Sequence, residues 1–250
     1  MPLTSGRPQR PRWYLELPLL VGGYLGFGLA RAAFDRGNPA ATRNALVVQR
    51  VEQSLHIAVE SSSNGAMLNH TTLMYATGYF YRLCLLAVPV TLVWLYVSSD
   101  SYRRWRAVLI AVTLLDLPLV WLLPMSPPRF AQPGIVDYIA NTDVLGGAAA
   151  GVPRAGVNVL AAMPSMHIAW TTWCALASWS VLRRRHQWAS WLVWLFPAAT
   201  AVVVLATGNH YVLDVLAGAA LTGVTSALWV IVLGRLRRST RQRRAPGAAT

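Results

Sequence analysis

Two histidines, one aspartate and one arginine stand at spacings that suit phosphoryl chemistry. His210 and Asp214, in Gly208-Asn-His-Tyr-Val-Leu-Asp, are four residues apart. On a helix they share a face, where the carboxylate can accept a hydrogen bond from one imidazole nitrogen. The other nitrogen is then free and more basic, and can attack phosphorus as a nucleophile. A second histidine, His167 in Pro164-Ser-Met-His, can protonate the departing oxygen and later deprotonate the incoming one. Arg129, in Ser126-Pro-Pro-Arg, would neutralise the phosphoryl oxygens. The same side chains are competent metal ligands, but no HExxH or cysteine-rich spacing accompanies them, so the expected chemistry uses no metal and no other cofactor.

These residues must be brought together by elements that a bilayer accepts. The chain is 55% hydrophobic and 12% charged, and its apolar residues fall into blocks near 13–33, 71–98, 106–124, 164–182, 187–206 and 210–234. Each is about the length that crosses roughly 30 Å of hydrocarbon. The spacing predicts an all-α polytopic membrane protein, a bundle of six transmembrane helices forming one domain over 1–234. A segment with apolar residues at helical spacing, Ala45 to Val59, with Arg50, Glu52 and Glu60 in or beside it, reads as an extra amphipathic helix in the first outer loop or as a lid.

All 22 basic residues are arginine. Fifteen fall on alternate connections: near the N-terminus, at Arg103, Arg104 and Arg106, at Arg183 to Arg185, and at Arg235 to Arg244. Six (Arg31, Arg36, Arg43, Arg50, Arg129 and Arg154) fall on the opposite side. By the positive-inside rule both termini are cytoplasmic, in a multi-pass protein of the cell membrane, with 235–250 a basic, disordered tail. The clusters lie between apolar blocks without aromatic interleaving, so the partner they indicate is anionic lipid and not nucleic acid. This topology sends all three polar motifs to the outer face. His167 and His210 are separated by two crossings joined at Arg183 to His186, so the hairpin returns one to the level of the other.

Other features are less specific. Arg82, inside the second block, either approaches the phosphate from beneath or pairs with Asp116. Ser165, Asn209 and amides at the start of the 164–182 helix are further phosphate donors. The Gly- and Ala-rich stretch 141–156 reads as a gating loop or a plain connector. Trp170 and Trp173 read as bundle packing, and Cys84 and Cys174 as buried small hydrophobes.

At the three motifs the sequence resembles the type 2 phosphatidic acid phosphatase (PAP2) superfamily, over roughly 120–220. The wording Pro-Pro-Arg, Met-Pro-Ser-Met-His and Gly-Asn-His-Tyr-x-x-Asp is closest to its inositol phosphotransferase and inositol phosphorylceramide synthase-like branch. A weaker likeness runs upstream through Glu52, Glu60 and Tyr81. The resemblance implies a metal-independent enzyme acting on a phospholipid or polyprenyl phosphate at the outer membrane face, with a phosphohistidine at His210, oriented by Asp214, His167 as acid and base, and Arg129 on the phosphate. Two basic residues usual in the phosphatase pattern are replaced by Leu122 and Val204. Their loss favours a phosphodiester, and so transfer, over a dianionic monoester. A strict polyprenyl or phosphatidate phosphate hydrolase stays open. So does a non-enzymatic lipid-binding or transport protein with a His/Asp relay, which would need polar residues at mid-bilayer depth on several helices.

Overall fold

The computed structural model describes residues 10–33, 39–141 and 160–243, with side chains of the last helix described to residue 232. The described chain is helical throughout, apart from connections and one isolated parallel bridge between Met125 and Ala161. In chain order the helices are α1 (Trp13–Ala33), α2 (Pro39–Ser54), α3 (Glu60–Leu68), α4 (Thr71–Ser98), α5 (Tyr102–Leu122), the single turns α6 (Pro128–Ala131) and α7 (Tyr138–Asn141), α8 (Met166–Leu182), α9 (Ala189–Ala206) and α10 (Val212–Arg243).

Two of these tighten into 3-10 geometry, α4 at Cys84–Leu86 and α9 at Ala189–Trp194. Pro89 and Pro197 follow, and each removes the amide that would bond four residues back, at Leu85 and Val193. Both of those residues lie in the tightened stretch, which is the local adjustment a proline forces on a helix.

Among the described residues, four helical stretches are long and apolar enough to cross a membrane: Thr71–Ser98, Tyr102–Leu122, Ala189–Ala206 and Val212–Val232. The chain is therefore a multi-pass membrane protein. The blocks at 13–33 and 164–182 are helices too, but they do not meet the same measure, so the count of six spans is not reached. Helix α8 has 17 residues, and α1 is diluted by Glu16, Arg31 and four glycines. The region expected to be an irregular basic tail continues α10 as helix to Arg243.

Helix α8 is the centre of the bundle. It is apolar on nearly every side, the pattern of a helix covered all round, and it packs against α4, α5, α9 and α10. Its residues Met166, Ala169, Trp170, Trp173, Cys174 and Ala177 join Leu95, Trp105, Val108 and Val112 in the main core. Cys84 and Cys174 are buried and free. Helix α1 lies along α5, held at one end by Arg106 and Tyr102 on Glu16 and at the other by Arg31 on Asp116.

Candidate active site

Three connections meet at one end of the bundle, and main-chain hydrogen bonds lock them together. The amide of Arg129, at the start of α6, donates to Gly208 O (3.0 Å), while that of Ser165 donates to Asp214 O (3.1 Å). Met125 and the 160–162 segment exchange two more, Met125 N to Leu160 O (2.8 Å) and Ala162 N to Met125 O (3.0 Å). Gly208 makes the tightest of these turns possible. Its φ is +64°, which side-chain-bearing residues rarely adopt, and a Cβ there would meet Ile135 Cγ2 at 2.5 Å. Gly218 does the same for the helix contact, since a Cβ would lie 2.4 Å from Ser165 O.

The result is a cavity of about 590 Å³, into which Arg129, His167, Asn209 and His210 all face. The two imidazoles have ring centroids 6.1 Å apart at 61°, and both line the same cavity. His210 Nδ1 is 2.8 Å from Ala162 O. A carbonyl oxygen only accepts, so Nδ1 carries the proton and donates it, leaving the Nε2 lone pair unprotonated for attack.

Asp214 plays a different part from the one its spacing suggested. Its Oδ2 is 3.5 Å from His210 Nδ1 and accepts the Tyr211 amide at 2.9 Å. The direct hydrogen bond to the imidazole is thus made by Ala162, because the bridge to Met125 holds that carbonyl closer. Asp214, fully buried, caps the chain as it enters α10 and puts negative charge behind the ring.

The secondary site residues separate into two groups. Asn209 lines the cavity, but its Oδ1 accepts from an Arg129 guanidinium nitrogen and from Tyr81 OH (3.2 Å), and its Nδ2 donates to Thr207 Oγ1 (2.7 Å). It aims Arg129, whose other side pairs with Asp137 at 3.0 Å. Ser165 is buried away from the cavity as the N-cap of α8, accepting from Ile168 N. Arg82 is absent from the cavity lining, and Asp116 is paired with Arg31 rather than Arg82. The positions of the two replaced basic residues, Leu122 and Val204, are absent from it as well; Leu122 is 62% exposed and Val204 buried. The stretch 142–159, with most of the expected gating loop, lies outside the described residues. Trp173 is bundle packing, with its indole on Trp105 O (2.8 Å), whereas Trp170 also lines the cavity.

Three contributions had no role assigned from the sequence, although the likeness to PAP2 runs through Tyr81, Glu52 and Glu60. Tyr81 stacks on His167, centroids 4.4 Å apart at 23°, fixing the ring's plane. Arg31 reads in the sequence as a loop cation at the end of an apolar block, yet it lines the cavity. Glu52 and Glu60 read as the polar side of a surface helix, yet both are buried, Glu52 Oε1 accepting Leu213 N (2.7 Å) and Glu60 Oε1 accepting Val212 N (3.2 Å). They satisfy the first amides of α10 from α2 and α3, and so hold the helix that follows His210. Burial pushes the Glu52 carboxyl up to about 8, and the neighbouring Glu60 adds to the rise against the pull of the Leu213 amide. An excess of two such carboxylates at one helix start has no periodicity in sequence, which is why it was not legible there. Among the described residues no three His, Cys, Asp or Glu side chains gather in a metal-holding group.

This arrangement of two facing imidazoles with an arginine between motif turns agrees with the comparison to known families, where the PAP2 superfamily (PAP2_3) matches residues 46–228. The chain belongs to the PAP2 superfamily. No curated protein and no solved structure matches it. Membership of PAP2 implies, in general, activity of the lipid phosphate phosphatase or phosphotransferase type, typically without metal. The matched segment begins within α2, at residue 46, so it takes in Glu52 and all of α3 with Glu60, and it leaves α1 outside.

Proposed function

We propose that this PAP2 protein is a lipid phosphotransferase of the inositol phosphotransferase and inositol phosphorylceramide synthase-like kind, working at the outer membrane face through a phosphohistidine at His210. The observation that carries the reading is the His210 Nδ1 contact with Ala162 O, which leaves Nε2 as the nucleophile in a cavity that His167 also lines. Nε2 attacks phosphorus in line, the P–O bond to the departing alcohol breaks, and His167 gives that oxygen a proton. An incoming hydroxyl then loses its proton to His167 and attacks the phosphohistidine, and the P–N bond breaks. Arg129 stabilises the charge on the phosphoryl oxygens. With water as the second nucleophile the same cycle hydrolyses the substrate, releasing phosphate from a monoester or a phosphomonoester from a diester.

Charge favours a diester. The Arg129 guanidinium is already partly neutralised by Asp137, so the site suits a monoanionic phosphodiester better than a dianionic monoester. The distribution of arginines supports cytoplasmic termini and an outward-facing cavity. Purified protein in detergent without divalent metal, given a panel of lipid phosphates and phosphodiesters with candidate alcohols, tests this. A new diester, detected by mass spectrometry and lost in His210→Ala, is the expected result. Free phosphate or a phosphomonoester without a new diester would make it a hydrolase, and no His210-dependent product across the panel would overturn the enzymatic reading in favour of a binding or relay protein.

A further inference from the structure

We infer that α1, which precedes the segment matched to the family, completes the substrate site, with Arg31 as a second cation for the phosphate and the face around Gly28 as the wall for the lipid chain. The inference rests on the reading of the cavity as a lipid phosphate or phosphodiester site. Arg31 lines the same cavity as Arg129, His167 and His210. Arg31 donates through Nη2 to Ala161 O at 2.7 Å, while His210 Nδ1 donates to Ala162 O at 2.8 Å. The guanidinium and the nucleophile are therefore hung on consecutive carbonyls of one strand-like segment, itself pinned to Met125.

Arg31 is held for this position. Its Nε lies 3.3 Å from Asp116 Oδ2, with the Asp116 side chain fully buried and that of Arg31 21% exposed. A carboxylate paired with a cavity-facing guanidinium is also what Arg129 has in the half-buried Asp137. Two cations, each paired with a carboxylate among the described residues, again fit a phosphodiester better than a dianion. The positions that would carry basic residues in the phosphatase pattern, Leu122 and Val204, do not reach the cavity, so α1 provides the second positive group from outside the motifs.

The rest of this wall is apolar. Tyr24, Leu25, Phe27, Gly28 and Leu29 line the cavity beside Arg31, and Tyr24 and Phe27 rest on Trp170 at centroid distances of 6.2 and 5.8 Å. A Cβ on Gly28 would meet nothing within 4 Å, so the glycine leaves open space in the wall itself. An acyl or prenyl chain attached to a phosphate between Arg31 and Arg129 would run along this face.

Two measurements test the inference. The first is binding of a non-hydrolysable lipid phosphonate to His210→Ala protein, with and without Arg31→Gln. Arg31→Gln is expected to weaken binding about tenfold or more, with Arg31→Lys recovering part of the loss. Because Arg31→Gln leaves Asp116 buried and unpaired, Arg31→Gln with Asp116→Asn provides a folded, neutral pair, judged by an unchanged melting temperature, and should bind as weakly. The second is turnover by Gly28→Leu, which should raise KM for a long-chain substrate about tenfold more than for a short-chain one. Wild-type phosphonate affinity in the double variant, or equal KM changes for the two chain lengths, would overturn the role of α1 while His210-dependent turnover left the reading of the cavity intact. Absence of both phosphonate binding and His210-dependent turnover would overturn the lipid phosphate reading, and this inference with it.

Discussion

The cavity has two walls of different construction. One carries Arg129, His167, Asn209 and His210, and its parts are fastened to each other by main-chain hydrogen bonds between motif turns. The other is α1, held to α5 by side chains, through Glu16 with Arg106 and Arg31 with Asp116, and to α8 by aromatic contacts. Backbone fastening fixes geometry closely, as a reacting phosphorus requires. Side-chain fastening tolerates change, as a wall for variable lipid chains requires. The difference teaches where to look in such a chain: chemistry in the turns, selectivity in the helix beside them.

The largest expected effect breaks the first wall at its acid. His167→Ala should lower kcat by roughly 10² to 10⁴-fold while lipid phosphonate binding persists, measured by steady-state kinetics beside a binding titration. A pure binding or relay protein would show no such split.

Glycines probe how each wall is packed. Gly218→Ala drives a Cβ to 2.4 Å from Ser165 O, a backbone atom that cannot rotate away, and so pushes α10 off the start of α8. It should cost about 1–3 kcal/mol, seen as a lower melting temperature in detergent together with reduced turnover. On α1 a Cβ at Gly23 meets nothing within 4 Å, and Gly23→Ala should leave both unchanged. Equal effects at the two sites would remove the proposed contrast.

A smaller effect comes from the carboxyls that cap α10. Glu52 is raised from 4.5 to about 8, so between those values the folded chain holds a proton that the unfolded chain has released. Stability from this group is full below the lower value and falls as pH rises through about 8. Thermal unfolding of Glu52→Gln should show a flatter pH dependence over that window than wild type. A steeper one would contradict the sign.

The smallest expected effect is at Leu122. Placing arginine there should not increase activity, because the side chain is exposed and outside the cavity. A gain in kcat/KM would mean that the phosphate lies nearer the end of α5 than Arg31 and Arg129 put it.

Much of the polar wall was legible in the sequence. The spacings that join Arg129, His167 and His210 follow from helix rise and from apolar block length, which periodicity reports directly. What was hidden depended on tertiary contacts without a sequence period. The nearest partner of His210 is a carbonyl at Ala162, which no side-chain pattern announces. Arg31 looked like one more headgroup arginine because its partner Asp116 is far away in sequence. Glu52 sat among residues at helical spacing, but α2 buries it together with small residues, Ala41 and Ala45, and leaves Leu46 and Val47 exposed, so the face turned inward is the small-residue face that carries Glu52.

The central claim is that phosphorus is bonded to His210 during turnover. Rapid alkaline quench of protein turning over a lipid phosphate or phosphodiester, followed by peptide mass spectrometry, reads it directly, since phosphorylated histidine survives base. The account predicts a phosphoryl-type adduct on the peptide containing His210 that is absent in His210→Ala and that forms and decays more slowly in His167→Ala, where proton transfer to and from the oxygens is slowed. Product formation by wild type with no adduct at His210 in either protein would contradict it and point to direct transfer between the two alcohols.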